Sequence, residues 1–135
     1  KMLASDDSGV RYWGAMGFLM RGKDAVQQAE KELVKALGDE NPSVQIAAAE
    51  AIGRYGSDDD AKKALEVLVE YADPVKHDFY TSLAALNAID YMDDRAASAA
   101  EQIRQLPTSD PKIKGGRPGG YTKNLVNKIL SDLNQ

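Results

Sequence analysis

Few side chains in this 135-residue chain could carry catalysis or hold a metal ion. The chain has no cysteine, which excludes a cysteine nucleophile, a thiolate metal site and a disulfide scaffold in this segment. His77 is the only histidine, so a histidine-based triad and a site with several histidine ligands are excluded as well. We therefore expect no catalytic residue, no cofactor site and no metal site here.

Three consecutive carboxylates, Asp58, Asp59 and Asp60, could be taken for a calcium loop. The ligand spacing and the closing glutamate of an EF-hand are absent. Ser57 and the aspartates instead suit the start of a helix, where they accept hydrogen bonds from free amides and complement the helix dipole. The cluster therefore predicts a helix that begins near Asp60.

Cations are concentrated near the end of the chain, although its formal net charge is −4. A predicted loop over 108–120, rich in proline and glycine, includes Lys112, Lys114 and Arg117 and is followed by Tyr121. These four side chains could contact a sulfated glycan, an anionic substrate or the acidic face of a neighbouring domain. The alternative is a solvated loop that binds nothing.

Ala-rich segments with a 3.6-residue period dominate, and the aromatic residues do not alternate as they would in strands. The sequence therefore predicts an all-α fold. Polar caps, prolines in first turns and closing glycines set the ends of the predicted helices. We predict helices over 10–20, 23–37, 42–55 and 60–71, from Asp73-Pro74 to Ile89, and over 95–106 and 121–133.

Two stretches of the chain, Asp7–Gly22 and Asn41–Gly56, repeat each other with an offset of 34 residues. Each has a polar cap, an early valine, a run of small residues and a closing glycine, as α-solenoid repeats have. A third copy over Asp73–Leu86 carries a short insertion. The prediction is a short α-solenoid of about three antiparallel helix pairs, forming one domain that was cut from a longer chain. We expect this domain at 1–135, its repeats at 1–22, 23–56 and 57–92, and terminal helices at 95–106 and 121–134.

The predicted first helix, Val10–Met20, is apolar on nearly all sides, which suits a helix buried on two faces. Solenoids normally end in a cap with a polar outer face, so we expect upstream residues of a parent protein to cover this helix. In the isolated segment, a second copy could cover it instead. The candidate docking residues are Tyr12, Trp13, Met16, Leu19 and Met20. Tyr12 and Trp13 could also stack on a ligand, the alternative to packing.

Arg11 lies on the same helix and could form part of a polar ladder between repeats. Gln45 stands at the matching position of the next repeat and cannot make the ionic contact of an arginine. We therefore expect Arg11 to make an isolated polar contact.

Two segments, 5–15 and 41–52, resemble HEAT repeats, in which a polar turn precedes a Val-Arg pair and an Ala-rich helix. More narrowly, three motifs in order resemble the C-terminal HEAT region of bacterial sulfatases of the arylsulfatase and N-sulfoglucosamine sulfohydrolase type. These motifs are Val10-Arg11-Tyr12-Trp13, Ala47-Ala48-Ala49-Glu50-Ala51 and Ala84-Ala85-Leu86-Asn87-Ala88-Ile89-Asp90. The resemblance implies a non-catalytic domain that packs on the parent's catalytic domain and shapes the rim of a pocket for sulfated glycan. It also implies a periplasmic or extracellular parent.

Such sulfatases use a formylglycine, made within a Cys/Ser-x-Pro-x-Arg motif, beside a calcium ion that carboxylates hold. In this segment, Ser109-Asp110-Pro111-Lys112-Ile113 has isoleucine where that motif needs arginine. The calcium ion and the nucleophile are therefore expected only in the parent's catalytic domain.

The alternative is a free-standing HEAT-repeat adaptor that binds a protein partner in its concave face, similar to the repeats associated with phycobilisome lyases. Nucleic acid is not an expected partner, because this acidic chain lacks the basic stripe that phosphates require. A membrane is not an expected partner either, since no apolar run approaches the roughly 20 residues that cross a bilayer.

Overall fold

A computed structural model describes residues 1–108 and 117–133 of the chain. Within these residues it contains α-helices and no strand, which confirms the predicted all-α fold. Two 3-10 helices, Met2–Ala4 and Asp93–Ala99, lie before the first and seventh α-helices. The α-helices are α1 (Ser8–Arg21), α2 (Lys23–Gln28), α3 (Glu30–Ala36), α4 (Pro42–Tyr55), α5 (Asp58–Tyr71), α6 (Phe79–Asp90), α7 (Ala100–Arg104) and α8 (Arg117–Asp132).

The helices stack as successive layers of an α-solenoid, as predicted. Helix α4 lies at the centre and contacts α1, α3, α5 and α6, while α8 packs against α6. An inner row of α1, α4, α6 and α8 results, with α2, α3 and α5 behind it. Because each helix touches mainly its neighbours in the stack, the fold offers an extended surface along the inner row.

Side-chain caps determine where the longer helices begin. Asp7, Asn41 and Asp78 accept hydrogen bonds from amides in the first turns of α1, α4 and α6. Ser57 caps α5 in the same way, and the aspartates 58–60 occupy the first turn of that helix. Each cap supplies a partner to an amide that has none within the helix.

Small side chains allow the inner helices to approach each other closely. In α4 the alanines 47–49 are buried together with Ala51 and Ile52. A Cβ atom added to Gly53 would lie 2.7 Å from the sulfur of Met92. Glycine at this position therefore makes room for Met92 against α4.

Two of the predicted helices are divided in the structure. The helix predicted over 23–37 is broken at Ala29, where φ is −106°. The break leaves Val26, Ala29 and Leu33 all buried. The helix predicted over 95–106 is likewise divided, into a 3-10 helix and α7. In both segments the buried side chains keep an apolar helical period, while the backbone is not one continuous α-helix.

The predicted helix start at Asp73-Pro74 is wrong. Residues 74–77 form a turn, and α6 begins directly after Asp78. Asp73 caps only this turn, by accepting a hydrogen bond from the Val75 amide at 2.8 Å. Asp73 and Asp78 are thus both suitable helix caps, and Asp78 is the one that directly precedes α6. Counted from Asp78, the third copy reaches Ile89 with the same spacing as Asn41 to Ile52, so the copy predicted over Asp73–Leu86 with its insertion is out of register.

The predicted loop over 108–120 overlaps α8, because this helix begins at Arg117 and not at Tyr121. Pro118 falls in the first turn, where proline's missing amide hydrogen breaks no intrahelical bond. The remainder of the loop, 109–116, lies outside the described residues.

Candidate protein-interaction surfaces

A groove of about 580 Å³ crosses α1, α4 and α6, and we call it the inner groove. It is lined by Ser8, Gly9, Tyr12, Met16, Asn41, Ser43, Ile46, Ala47, Glu50, Tyr80, Thr81, Ala84 and Asn87. The positions two and nine residues after each helix cap recur in this lining for all three helices. The three helices therefore run in the same direction and begin at the same edge of the groove.

The inner groove has an apolar floor and exposed aromatic side chains. Ile46 and Ala47 are buried in its floor. Tyr80 is 80% exposed and Tyr12 is half-buried, so both rings are open to a ligand. Ala84 is exposed and fills little of the space above α6. Exposed tyrosines beside apolar surface are typical of protein contact sites.

Among the described residues that line the inner groove, Glu50 is the one charged side chain. Arg54, one turn further along α4, donates a hydrogen bond to Glu50 at 3.1 Å. The Arg54 guanidinium also lies 5.0 Å from the ring centre of Tyr55 and 5.2 Å from that of Tyr91. Arg54 is therefore held by this chain's own residues beyond the end of the groove.

Carboxylates are concentrated where α1, α4 and α6 begin. This acidic edge consists of Asp6, Asp7, Asp39, Glu40 and Asp78. The Thr81 hydroxyl donates a hydrogen bond to Asp78, and backbone amides donate further ones. Together these bonds hold the pKa of Asp78 below its ordinary value, and the hydroxyl contributes most. Asp78 is therefore ionised at neutral pH, and its capping of α6 favours that charged form.

Arg11 joins the first repeat to the second through a buried ion pair. Its Nε and Nη2 donate to the two carboxylate oxygens of Asp39 at 2.7 and 3.0 Å. Its Nη1 donates to the carbonyls of Ser5 and Asp6 at 2.9 and 3.0 Å. The hydrogen bond from Arg11 holds the pKa of Asp39 below its ordinary value. Arg11 therefore contacts both its own turn and the next repeat.

Equivalent positions in the next two inner helices make related contacts. Gln45 and Ser82, like Arg11, lie four residues after their helix caps. Gln45 donates to the carbonyl of Asp39, and the Ser82 hydroxyl donates to the carbonyl of Ala72 at 2.7 Å. Arg11, Gln45 and Ser82 thus each donate hydrogen bonds to acceptors in neighbouring turns. Of these three side chains, Arg11 alone reaches the next repeat, which agrees with the expectation that its contact is isolated and not part of a ladder.

A second groove, of about 500 Å³, lies on the opposite side of α1, and we call it the end groove. It is lined by Lys1, Met2, Leu3, Trp13, Gly14, Gly17, Phe18, Arg21, Gln28, Ala29 and Glu32. Trp13 is 61% exposed. A Cβ atom added to Gly14 would lie 3.0 Å from the Cβ of Met2, so the first 3-10 helix packs directly on α1. The end groove is therefore partly covered by the chain's first residues.

The five predicted docking residues do not form one surface. Tyr12 and Met16 line the inner groove, whereas Trp13 lines the end groove. Leu19 is buried in the core and offers no surface for docking. Met20 is 76% exposed and lines neither groove. Helical geometry separates them, because residues one apart point about 100° away from each other around the helix axis.

The predicted anion-binding loop is described only at its end. Lys112 and Lys114 lie outside the described residues. Arg117 begins α8, and Tyr121 is 65% exposed on the same helix. The prediction that these four residues contact an anion or a neighbouring domain stays a prediction.

The described residues contain no cluster of side chains suited to a metal ion and no helix able to span a membrane. The aspartates 58–60 lie in a helix start, where Asp60 pairs with Lys63 at 2.6 Å. His77 packs against the Tyr71 ring, with 4.7 Å between ring centres. The structure thus places these candidate chemical groups in capping and packing roles.

These features define a class of protein: a short α-solenoid with a continuous groove along its inner helices. A family model for HEAT repeats matches residues 1–89, and the chain therefore belongs to the HEAT-repeat family. No curated protein and no solved structure matches the chain. The HEAT-repeat part of the predicted resemblance is thus confirmed.

Proposed function

We propose that this chain is a non-catalytic scaffold that binds a protein partner in the inner groove. The observation that supports it is a single groove across three repeats, with tyrosines exposed above an apolar floor. Tyrosine contributes a large contact area at a low cost in side-chain entropy. Membership of the HEAT-repeat family supports protein partners in general.

Photo-crosslinking from the groove tests this function. Replacing Tyr80 by p-benzoylphenylalanine places a photoreactive ring at the open side of the inner groove. Placing the same residue at Asn127 provides the control, since this is an exposed position of α8. We expect a discrete protein adduct from position 80 in cells of the source organism, absent from position 127. Equal labelling from both positions, or none from position 80, would contradict the proposal.

A finer proposal concerns the parent protein. We propose that the segment is the C-terminal HEAT domain of a bacterial sulfatase and docks on its catalytic domain through the end groove. Two observations support this idea: the sequence resemblance, and the exposure of Trp13 and Met20 at the first end of the solenoid. The parent would be periplasmic or extracellular, with calcium only in its catalytic domain.

The coding sequence upstream of Lys1 tests the sulfatase proposal. A Cys/Ser-x-Pro-x-Arg motif with nearby aspartates is expected there, and further helical repeats alone would contradict it. In the full-length enzyme, charge reversal of Lys112, Lys114 and Arg117 tests their proposed place at the substrate rim. An unchanged kcat/KM on a sulfated oligosaccharide would remove that role.

The end groove could alternatively be covered by a second copy of the segment. Sedimentation of the isolated chain tests this, because Trp13→Glu would place a charge in the apolar contact. A wild-type dimer that Trp13→Glu converts to a monomer supports self-association, and a wild-type monomer at every concentration contradicts it. Asn127→Glu, at an exposed position of α8 that lines neither groove, controls for the added negative charge.

A further inference from the structure

We propose that the inner groove recognises a basic segment of its protein partner. An apolar side chain of that segment would pack on Ile46 and Ala47, with lysine or arginine side chains beside it at the acidic edge. This inference rests on the proposed scaffold function and adds to it the chemistry of the partner.

The charge distribution supports a cationic occupant. None of the described lining residues of the inner groove is a lysine or an arginine. Arg11, beside the acidic edge, already contacts Asp39 and Glu40, and Lys76, two residues before Asp78, already contacts Glu70. Asp6, Asp7 and Asp78 have no ion-pair partner among the described residues. A partner that brings cations would supply what this edge lacks.

The exposed rings favour the same partner. Arg54 shows within this chain how a guanidinium is held between two tyrosines and a carboxylate on the inner row. The inner groove presents the same kind of ring, in Tyr12 and Tyr80, while its carboxylate, Glu50, is already paired with Arg54. An incoming arginine or lysine could therefore interact with a ring face as well as with the acidic edge.

The dimensions of the groove favour a short segment over a folded surface. Its volume of about 580 Å³ suits a few side chains of a partner. An acidic segment would be repelled at the edge, and a nucleic acid would meet carboxylates in place of the cations that phosphates need. The groove therefore selects by charge as well as by shape.

Selection from a library of random peptides tests the inference on the intact chain. We expect the peptides retained by the wild type to be enriched in lysine and arginine around an apolar residue. Ala84→Arg adds bulk and positive charge to the groove at an exposed helical position that arginine tolerates. For a selected peptide, Ala84→Arg should raise Kd at least about tenfold. Added salt should also weaken binding, because the acidic edge is exposed.

Asn127→Arg is the matched control, since it adds the same charge at an exposed position of α8. It should bind the selected peptide like the wild type, and the melting temperatures of both variants should confirm that they are folded. A retained pool that is neutral or acidic, or equal binding by Ala84→Arg, overturns the inference. If position 80 still crosslinks to a protein in that case, the scaffold function stands and only the basic partner is wrong. If the basic-peptide result fails and position 80 also gives no protein adduct, both the scaffold function and the basic partner are wrong.

Discussion

Ion pairs link stacked elements of the solenoid, and two of these pairs differ in their surroundings. At the first, Arg11 and Asp39 both have side chains that are 10% exposed. At the second, Lys128 of α8 reaches Asp90 of α6 at 2.7 Å, and the lysine side chain is 56% exposed. Water can replace the partner of Lys128 but has little access to Arg11. The same type of contact therefore matters to different degrees in the two places.

The hydrogen bond made by Ser82 should contribute less to stability than the Arg11 pair and more than the Lys128 pair. The Ser82 hydroxyl is fully buried and donates one neutral hydrogen bond to the Ala72 carbonyl. Arg11 at the equivalent position makes ionic bonds and also satisfies two carbonyls. Stability should therefore depend on these three contacts in the order Arg11, Ser82, Lys128.

The largest loss of stability is expected for Arg11→Met. This change leaves the Asp39 carboxylate in its part-buried site and removes the donor to the carbonyls of Ser5 and Asp6. Urea unfolding followed by circular dichroism measures the loss as a lower midpoint. Arg21→Met, on the exposed end of the same helix, is the control and should change the midpoint little. Equal midpoints for the two variants would contradict a structural role for the buried pair.

The effect of Arg11→Met should also depend on pH. Because Arg11 holds the pKa of Asp39 below its ordinary value, ionised Asp39 stabilises the fold above the ordinary carboxyl pKa of about 4. That contribution disappears as the pH falls through the lowered pKa of the folded protein. The stability difference between wild type and variant should therefore be full at neutral pH and shrink below about pH 4. A difference that stays constant down to the acid transition would rule out this linkage.

A smaller loss is expected for Ser82→Ala. The Ala72 carbonyl would lose its buried side-chain donor, which costs about 1–3 kcal/mol of unfolding free energy. Ser131→Ala, at an exposed position of α8, is the matched control and should be neutral. Ser82→Thr keeps a hydroxyl and distinguishes the lost hydrogen bond from the lost volume. If the alanine variant unfolds at the wild-type midpoint, the middle position in this order is wrong.

The smallest effect is expected for Lys128→Ala. Hydrogen bonds to Asp132 and then Asp90 raise the pKa of Lys128, but the ammonium group remains exposed to water and salt. We expect an unfolding midpoint that cannot be distinguished from the wild type. A loss as large as that of Ser82→Ala would show that the α6–α8 contact depends on this pair.

Much of the fold could be predicted because its signals are local. Caps at Asp7, Asn41 and Ser57 and the 3.6-residue apolar period indicated three of the long helices close to their observed bounds. The start of α6 was missed, since Asp73 and Asp78 are both suitable caps. Either start places Leu86 and Ile89 on one helix face, so the apolar period could not choose between the two caps.

The candidate site was predicted only in part. Tyr12 and Met16 were named from the sequence, but as members of a surface shared with Trp13, which lies in the other groove. Tyr80 and Glu50 were not named, because neither is unusual within its own helix. They meet across the inner groove only when repeats with correctly assigned caps stack side by side.

By itself, the sequence determined the helical class, most helix starts and the repeat, because capping and periodicity act within a few residues along the chain. Tertiary structure decided which side chains share a groove, and it buried Arg11 between two repeats while leaving Lys128 in water. The physical reason is that grooves and local dielectric surroundings arise between helices distant in sequence.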